Sequence, residues 1–479
     1  MAPADRAAML ATMRVLSALV SRLALRGPRL PAAGGLLLAL GIVALAIGCA
    51  RDEGSVSIMP VTSGQPAQGQ PGPGASGAPA AERVAIPAPS GAPSEAALRG
   101  TIRYEDRLYG PSGFTGELRI RPARGILVRA LDAGGALRAS TRTDGEGAFL
   151  LRVDAPPGES LRVQAVADVM HREHRLLART DHPGGRPHLL ELPAFVVGAT
   201  PASSEAIAPA SGVGGAFNAM DVAYEALRAL APVLPKHLPT LTVIWERGRA
   251  RPCTSCYRDE DETIQLGADP SDTDEYDDDI ILHELAHFFA QHTHADDNPG
   301  GFHRDRRVSP ALAYPEGLAY FLSCLVRDDP RVIDTYDGAN RVWDFERVTI
   351  DGLEPPETRG TSDGRVGGLL REEIPGSILW DVSDPASPEE PFDRITLPVE
   401  VHLRLLLGGV QDRPARGGRG IDLVDYLDAL VCTARLPAED VLALATSRGF
   451  PWLAPDCDAL PPIAAPPTSG AAIPPSPAR

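Results

Sequence analysis

Residues 280–290 make one apolar stretch, broken only by the polar members of His283-Glu284-Leu285-Ala286-His287. On an α-helix, positions i and i+4 project from one face. His283 and His287 then offer two imidazole nitrogens to one point, with Glu284 flanking it. Ile281, Leu282, Leu285, Phe288 and Phe289 leave such a helix apolar almost all round, so the pattern predicts a buried helix. Two histidines and a glutamate in that interior each need a partner, at about 1–3 kcal/mol per unsatisfied group. One divalent cation satisfies all three together. Zinc takes neutral nitrogen and anionic oxygen in a tetrahedral set, and a catalytic zinc keeps one position for water. A carboxylate beside that water can take its proton as it attacks a polarised carbonyl. The pattern points to peptide-bond hydrolysis. The competing interpretation is an ordinary core helix whose two histidines are satisfied within the protein.

A third ligand must come from elsewhere. Metzincins place a glycine and a third histidine shortly after the motif, but those positions hold Ala290 and Thr293. His292 and His294 lie just past the helix and read as surface residues. Glu316 is the stronger candidate, in Ala313-Tyr314-Pro315-Glu316-Gly317-Leu318-Ala319. Pro315 suits the first turn of a helix and an acid beside it suits the helix dipole. The apolar run that follows would carry Glu316 on a second buried helix. His303, in the Gly-rich loop between the two helices, is a rival ligand, a transition-state donor or a surface histidine. Tyr336 and Tyr314 are further donor candidates, and the sequence does not choose among the three.

At these two motifs the chain resembles the gluzincins, zinc peptidases with an H-E-x-x-H helix and a glutamate ligand on a later helix. Pro315-Glu316-Gly317-Leu318-Ala319 is similar to the E-G-x-A stretch that carries that glutamate. The resemblance implies that His283, His287 and Glu316 hold Zn2+ and that Glu284 is the general base. It extends over residues 217–457, and Pro375-Gly376-Ser377-Ile378-Leu379-Trp380-Asp381 is similar to a downstream helix of bacterial members. It also implies that the strand before the active helix is a sheet edge that holds extended substrate by backbone pairing. Many gluzincins carry an acid four residues after the ligand glutamate; this chain has Tyr320 there, which leaves open what orients the histidines.

An arginine-bearing segment precedes the apolar run 36–47, which is shorter than a membrane span and stops at Cys49. This resembles a bacterial lipobox, and implies an exported lipoprotein anchored in the outer membrane or at the cell surface through Cys49. Residues 1–48 are the expected signal peptide. Residues 49–97, rich in Pro, Gly, Ala and Ser, cannot bury enough apolar area to offset their chain entropy and are expected to form a tether. The tail 458–479 has the same character. Formal net charge is −17, and removing the first 48 residues (five arginines, one aspartate) leaves −17 − 4 = −21. So acidic a protein is not built to bind nucleic acid; a peptide or protein substrate is the expected partner.

Residues 98–198 read as short strands separated by turn signals at 132–135, 144–147 and 156–158. The stretch 141–149 resembles the carboxypeptidase regulatory-like (transthyretin-like) β-sandwich. A helix over 218–230 follows, then strands at 241–245 and 263–266. Four more helices are expected at 366–382, 399–407, 421–433 and 438–447. The expected architecture is multidomain: a small all-β sandwich (98–198), then an α+β zincin-like metallopeptidase domain (213–457) with a mostly helical C-terminal lobe. Seven acids lie within 269–279. They read as acids before and within the first turn of the His283 helix, favoured by its dipole, in preference to a calcium site. Cys432 and Cys457 are the favoured disulfide, Cys324 is expected in the core, and Cys253-Thr254-Ser255-Cys256 lacks the second pair that a zinc knuckle needs. The functional expectation is an exported zinc metallopeptidase. The alternative is a non-catalytic zinc-bearing envelope lipoprotein that binds a protein or glycan.

Overall fold

The first nine strands are β1 (Ser94–Gly110), β2 (Gly113–Pro122), β3 (Ile126–Leu131), β4 (Leu137–Arg142), β5 (Ala148–Ala155), β6 (Ser160–His171), β7 (His174–Arg179), β8 (Leu189–Val196) and β9 (Ser203–Ala208). They come from a computed structural model that describes residues 94–457, except 111–112, 181–183, 199–202, 294–297, 305, 349–368, 387–389 and 411–420. The expected signal segment, the lipidation site at Cys49, most of the tether, His294 and the tail lie outside the described residues. Among those described, the fold is mixed α/β, with two large sheets, a hairpin and seven helices.

β1 is long enough to serve three partners: β5 antiparallel along 94–101, β2 antiparallel along 103–110 and β9 parallel along 99–104. The second sheet has eight strands, in the order β11-β12-β10-β7-β6-β3-β4 with β8 also on β6; β10, β11 and β12 are Leu241–Ile244, Cys256–Arg258 and Thr263–Gln265. Alternation along β3 and β5 turns Val128, Ala130, Phe149, Leu151 and Val153 inward, and both sheets contribute to one apolar cluster.

The sequence placed a domain boundary between 198 and 213, yet the second sheet crosses it. β10 pairs in parallel with β7, Leu241 beside Leu176 and Ile244 beside Arg179. Side-chain alternation shows which face of a strand is buried but not which edge it shares, so the continuity is invisible in the sequence. Helix α1 (Gly214–Leu230) covers this junction with Phe217, Met220, Leu227 and Leu230. It is fastened by Asp221, which is fully buried and accepts from the Tyr104 hydroxyl (3.0 Å) and twice from the Arg124 guanidinium (2.7 and 2.6 Å).

Helices α2 (Asp278–Thr293) and α3 (Pro310–Arg327) pack on each other, and α4 (Glu373–Asp381) packs on α3. α4 begins later than the sequence suggested. Leu370 is extended and exchanges two backbone hydrogen bonds with Val308 (2.8 and 2.9 Å), so no helix runs through it. Gly317 permits the α3–α4 contact: a Cβ there would lie 2.7 Å from the Glu372 carbonyl oxygen and from the Gly376 nitrogen. Between them a hairpin, β13 (Arg331–Tyr336) and β14 (Ala339–Asp344), turns through Asp337-Gly338, both at positive φ as a two-residue turn requires. The later elements are helical: α5 (Val399–Arg404), which continues into a wider turn at Leu405–Gly409, α6 (Leu423–Cys432) and α7 (Ala438–Ser447). Asp422 and Asp425 form a reciprocal capping box at the start of α6. Cys432 bonds to Cys457, Cys253 bonds to Cys256, and Cys324 is buried and unpaired on α3.

Candidate metal centre

His283 and His287 lie one turn apart on α2, as their spacing dictates, and Glu316 faces them from α3. All three are buried. His283 Nε2 lies 3.1 Å from Glu316 Oε2, His287 Nε2 lies 3.3 Å from the same oxygen, and the two ring nitrogens are 3.2 Å apart. An ion bound tetrahedrally at about 2.0–2.1 Å would hold its ligand atoms about 3.3–3.4 Å apart. The trio therefore matches the edge of such a coordination shell, with three lone-pair-bearing atoms turned on one point. Burial would raise the Glu316 pKa, but the adjacent His287 and His283 hold it well below the usual carboxylate range.

The surroundings fix this geometry. Asn298 donates its amide to the other Glu316 oxygen, Oε1 (2.8 Å), and folds its own loop by accepting from Gly300 N (2.8 Å). The Tyr320 ring lies 4.4 Å from the His283 ring, so at the position where an acid was sought an aromatic face orients that histidine. His283 Nδ1 has no hydrogen-bond partner among the described residues. Glu284 accepts a hydrogen bond from Tyr257 N on β11 at Oε2 (2.7 Å). That contact brings the end strand of the eight-stranded sheet against α2. The edge is β11 and not the 263–266 strand, which β11 covers. A strand of three residues closed by a Cys253–Cys256 bridge was too short to read from periodicity.

His303 is drawn in. Its Nε2 is 3.7 Å from Glu316 Oε2 and its Nδ1 is 2.6 Å from Glu372 Oε2. Burial favours the neutral ring, but the bond to Glu372 and the charge of Glu316 prevail and raise its pKa. Glu372 escaped the sequence reading, in which it lay unmarked within the helix expected over 366–382; the Val308–Leu370 bridge carries it to His303. Asn298 was equally unmarked. Of the other candidates, Tyr336 has the Arg304 and Arg341 guanidinium groups over its ring (4.6 and 4.4 Å). Tyr314 is buried beside Tyr426, and His292 meets Glu262 (2.9 Å). Among the described residues, three further groupings of His, Asp and Glu could hold a cation: His303 with Glu316 and Glu372, Asp272 with Asp274 and Asp334, and Glu346 with Asp384 and Glu390.

No family model matches the sequence, and no curated protein does. Among solved structures the chain is similar to a 9R-lipoxygenase from Cyanothece, at 14% identity over 33% of this chain and with a TM-score of 0.14. The match spans 27% of the lipoxygenase.

Proposed function

We propose that the protein is a zinc metallopeptidase of gluzincin type. His283, His287 and Glu316 would hold the ion, and Glu284 would act as general base. In this reading the strands of residues 98–198 are carboxypeptidase regulatory-like and share a sheet with the zincin-like part, residues 213–457. The chain is exported and held at the membrane through a lipid on Cys49. The observation that carries the proposal is the mutual approach of two imidazole nitrogens and a carboxylate oxygen to 3.1–3.3 Å.

When bound, zinc supplies a Lewis acid for the scissile carbonyl and lowers the pKa of water. The remaining work falls to the protein. Glu284 is anchored through Oε2 by the Tyr257 N–H, which leaves Oε1 to take a proton from the attacking water and pass it to the departing amine. Glu372 holds the His303 ring, and a protonated His303 beside Glu316 is the donor for the developing oxyanion. β11 ends the sheet, and an extended peptide can add along it.

Elemental analysis of the purified protein should find one zinc per chain, and Glu316→Ala should lose most of it. Glu284→Gln should keep the zinc while hydrolysis of a broad peptide library falls about a hundredfold or more. Protein without zinc refutes the reading. Stoichiometric zinc with no cleavage by the wild type favours the non-catalytic binding lipoprotein.

A further inference from the structure

The acids ahead of α2 do more than complement a helix dipole. Asp278 and Asp279 are spent on structure: Asp278 pairs with Arg327 and accepts from Asn218 (3.0 Å), and Asp279 accepts from Ile333 N (2.9 Å) and Ser323. Asp272, Asp274 and Asp334 are different. Each offers a carboxylate oxygen within 4.8 Å of those of the other two, although Asp334 comes from β13, about sixty residues further on. Asp334 is 1% exposed, and neither of its oxygens accepts a hydrogen bond among the described residues. Oδ1 of Asp272, of Asp274 and of the fully buried Asp277 are likewise unpartnered. The other Asp277 oxygen accepts from Thr335 N and its hydroxyl (2.8 and 2.5 Å), which seats it beside Asp334. Arg304 lies 3.3 Å from Asp334, and the charges of both Arg304 and Arg341 act on that carboxylate. Four carboxylates outnumber the guanidinium groups in a largely buried site.

We propose that Asp272, Asp274 and Asp334, bordered by Asp277, form a second cation site, specific for calcium and structural in role. Buried carboxylates with open lone pairs stay ionised only beside positive charge. Calcium takes about six to eight oxygen ligands in a flexible shell and accepts several protein carboxylates at once; magnesium demands near-ideal octahedra, dehydrates reluctantly and is usually held by only one or two carboxylates, so a set of three favours calcium. The ion joins three segments around the metal centre. Asp277 immediately precedes the helix of His283 and Glu284. Ser255, next to the Cys256–Arg258 edge strand, donates to Asp274 (2.5 Å). Asp334 ties in the hairpin.

The test uses the full chain in metal-stripped buffer at pH 7.5, with zinc measured in every sample so that changes at the His283 centre are seen separately. Equilibrium dialysis with calcium should find one bound ion with a dissociation constant of about 1 mM or below. Saturating calcium should raise the melting temperature by roughly 4 °C or more, with equal magnesium giving a smaller rise. Asp334→Asn and, separately, Asp274→Asn should lose both effects. Without calcium they should melt no lower than wild type, because each removes a like charge from an unneutralised cluster. Glu346→Gln, in the separate acidic group with Asp384 and Glu390, should keep the full response. A wild type that binds no calcium, retention of binding in the Asp334 and Asp274 variants, or loss only in Glu346→Gln overturns the proposal.

Discussion

Replacing Gly317 by alanine tests whether the α3–α4 contact sets the geometry beside Glu316. A Cβ at 317 would meet the Glu372 carbonyl oxygen, the Gly376 nitrogen and Pro375 Cγ, each at 2.7 Å. Ordinary contact begins near 3.4 Å, so relief requires a separation of 3.4 − 2.7 = 0.7 Å. Two of the three atoms are backbone and the third belongs to a proline ring, so no rotamer change provides it. Overpacking of this kind costs about 1–3 kcal/mol, and the rigid contacts argue for the upper half of that range. Alanine returns about 1 kcal/mol through its better helix propensity. The net expectation is a loss of about 1–2 kcal/mol, read as a lower urea midpoint at unchanged slope. Gly408→Ala is the control, since a Cβ there meets nothing within 4 Å; it should be neutral or stabilising. A Gly317→Ala protein as stable as wild type would refute the reasoning, because propensity would then have outweighed a clash that the structure makes unavoidable.

Two further outcomes follow from buried charge. His402 is fully buried between Ser383 (2.6 Å) and Tyr426 (2.7 Å), and burial lowers its pKa to about 3. Because the folded pKa lies below the unfolded one, the neutral ring's contribution is complete above about pH 6.5 and is lost as pH falls toward 3. Thermal melts of wild type and His402→Asn across that window should show a steeper acid-side decline in the wild type, and parallel curves would count against it. Arg448 grips Asp381 with two bonds (2.9 and 2.6 Å) in the C-terminal helices, both residues buried. Arg448→Met should cost about 3–5 kcal/mol in urea unfolding by stranding a buried carboxylate. Asp381→Asn together with Arg448→Met should recover part of it; a single variant that loses under 1 kcal/mol would show that the pair does not matter.

Much of the centre was legible because it is local. His283, Glu284 and His287 follow from the period of one helix, and Glu316 was reached through the Pro315-Glu316-Gly317 stretch. The disulfide expected between Cys432 and Cys457 and the buried place of Cys324 are as observed. The misses have two causes. The Cys253–Cys256 bridge and the three-residue β11 are local but too short to show a period, whereas the start of α4 after an extended Leu370 depends on a partner elsewhere in the chain. So does the sheet that runs unbroken from β4 to β11 across an expected domain boundary.

By itself, the sequence determined which groups share a helix face, which segments must be buried and where the chain turns, since these follow from backbone period and side-chain size over a few residues. Only the tertiary structure decided that Glu372 and Asn298 stand behind His303 and Glu316, that Tyr320 lies against His283, and that Asp334 joins Asp272 and Asp274. Those meetings are made by helix packing, a two-residue bridge and a hairpin. Each closes a long loop whose entropy is offset by the whole core, so no short stretch of sequence carries their signature.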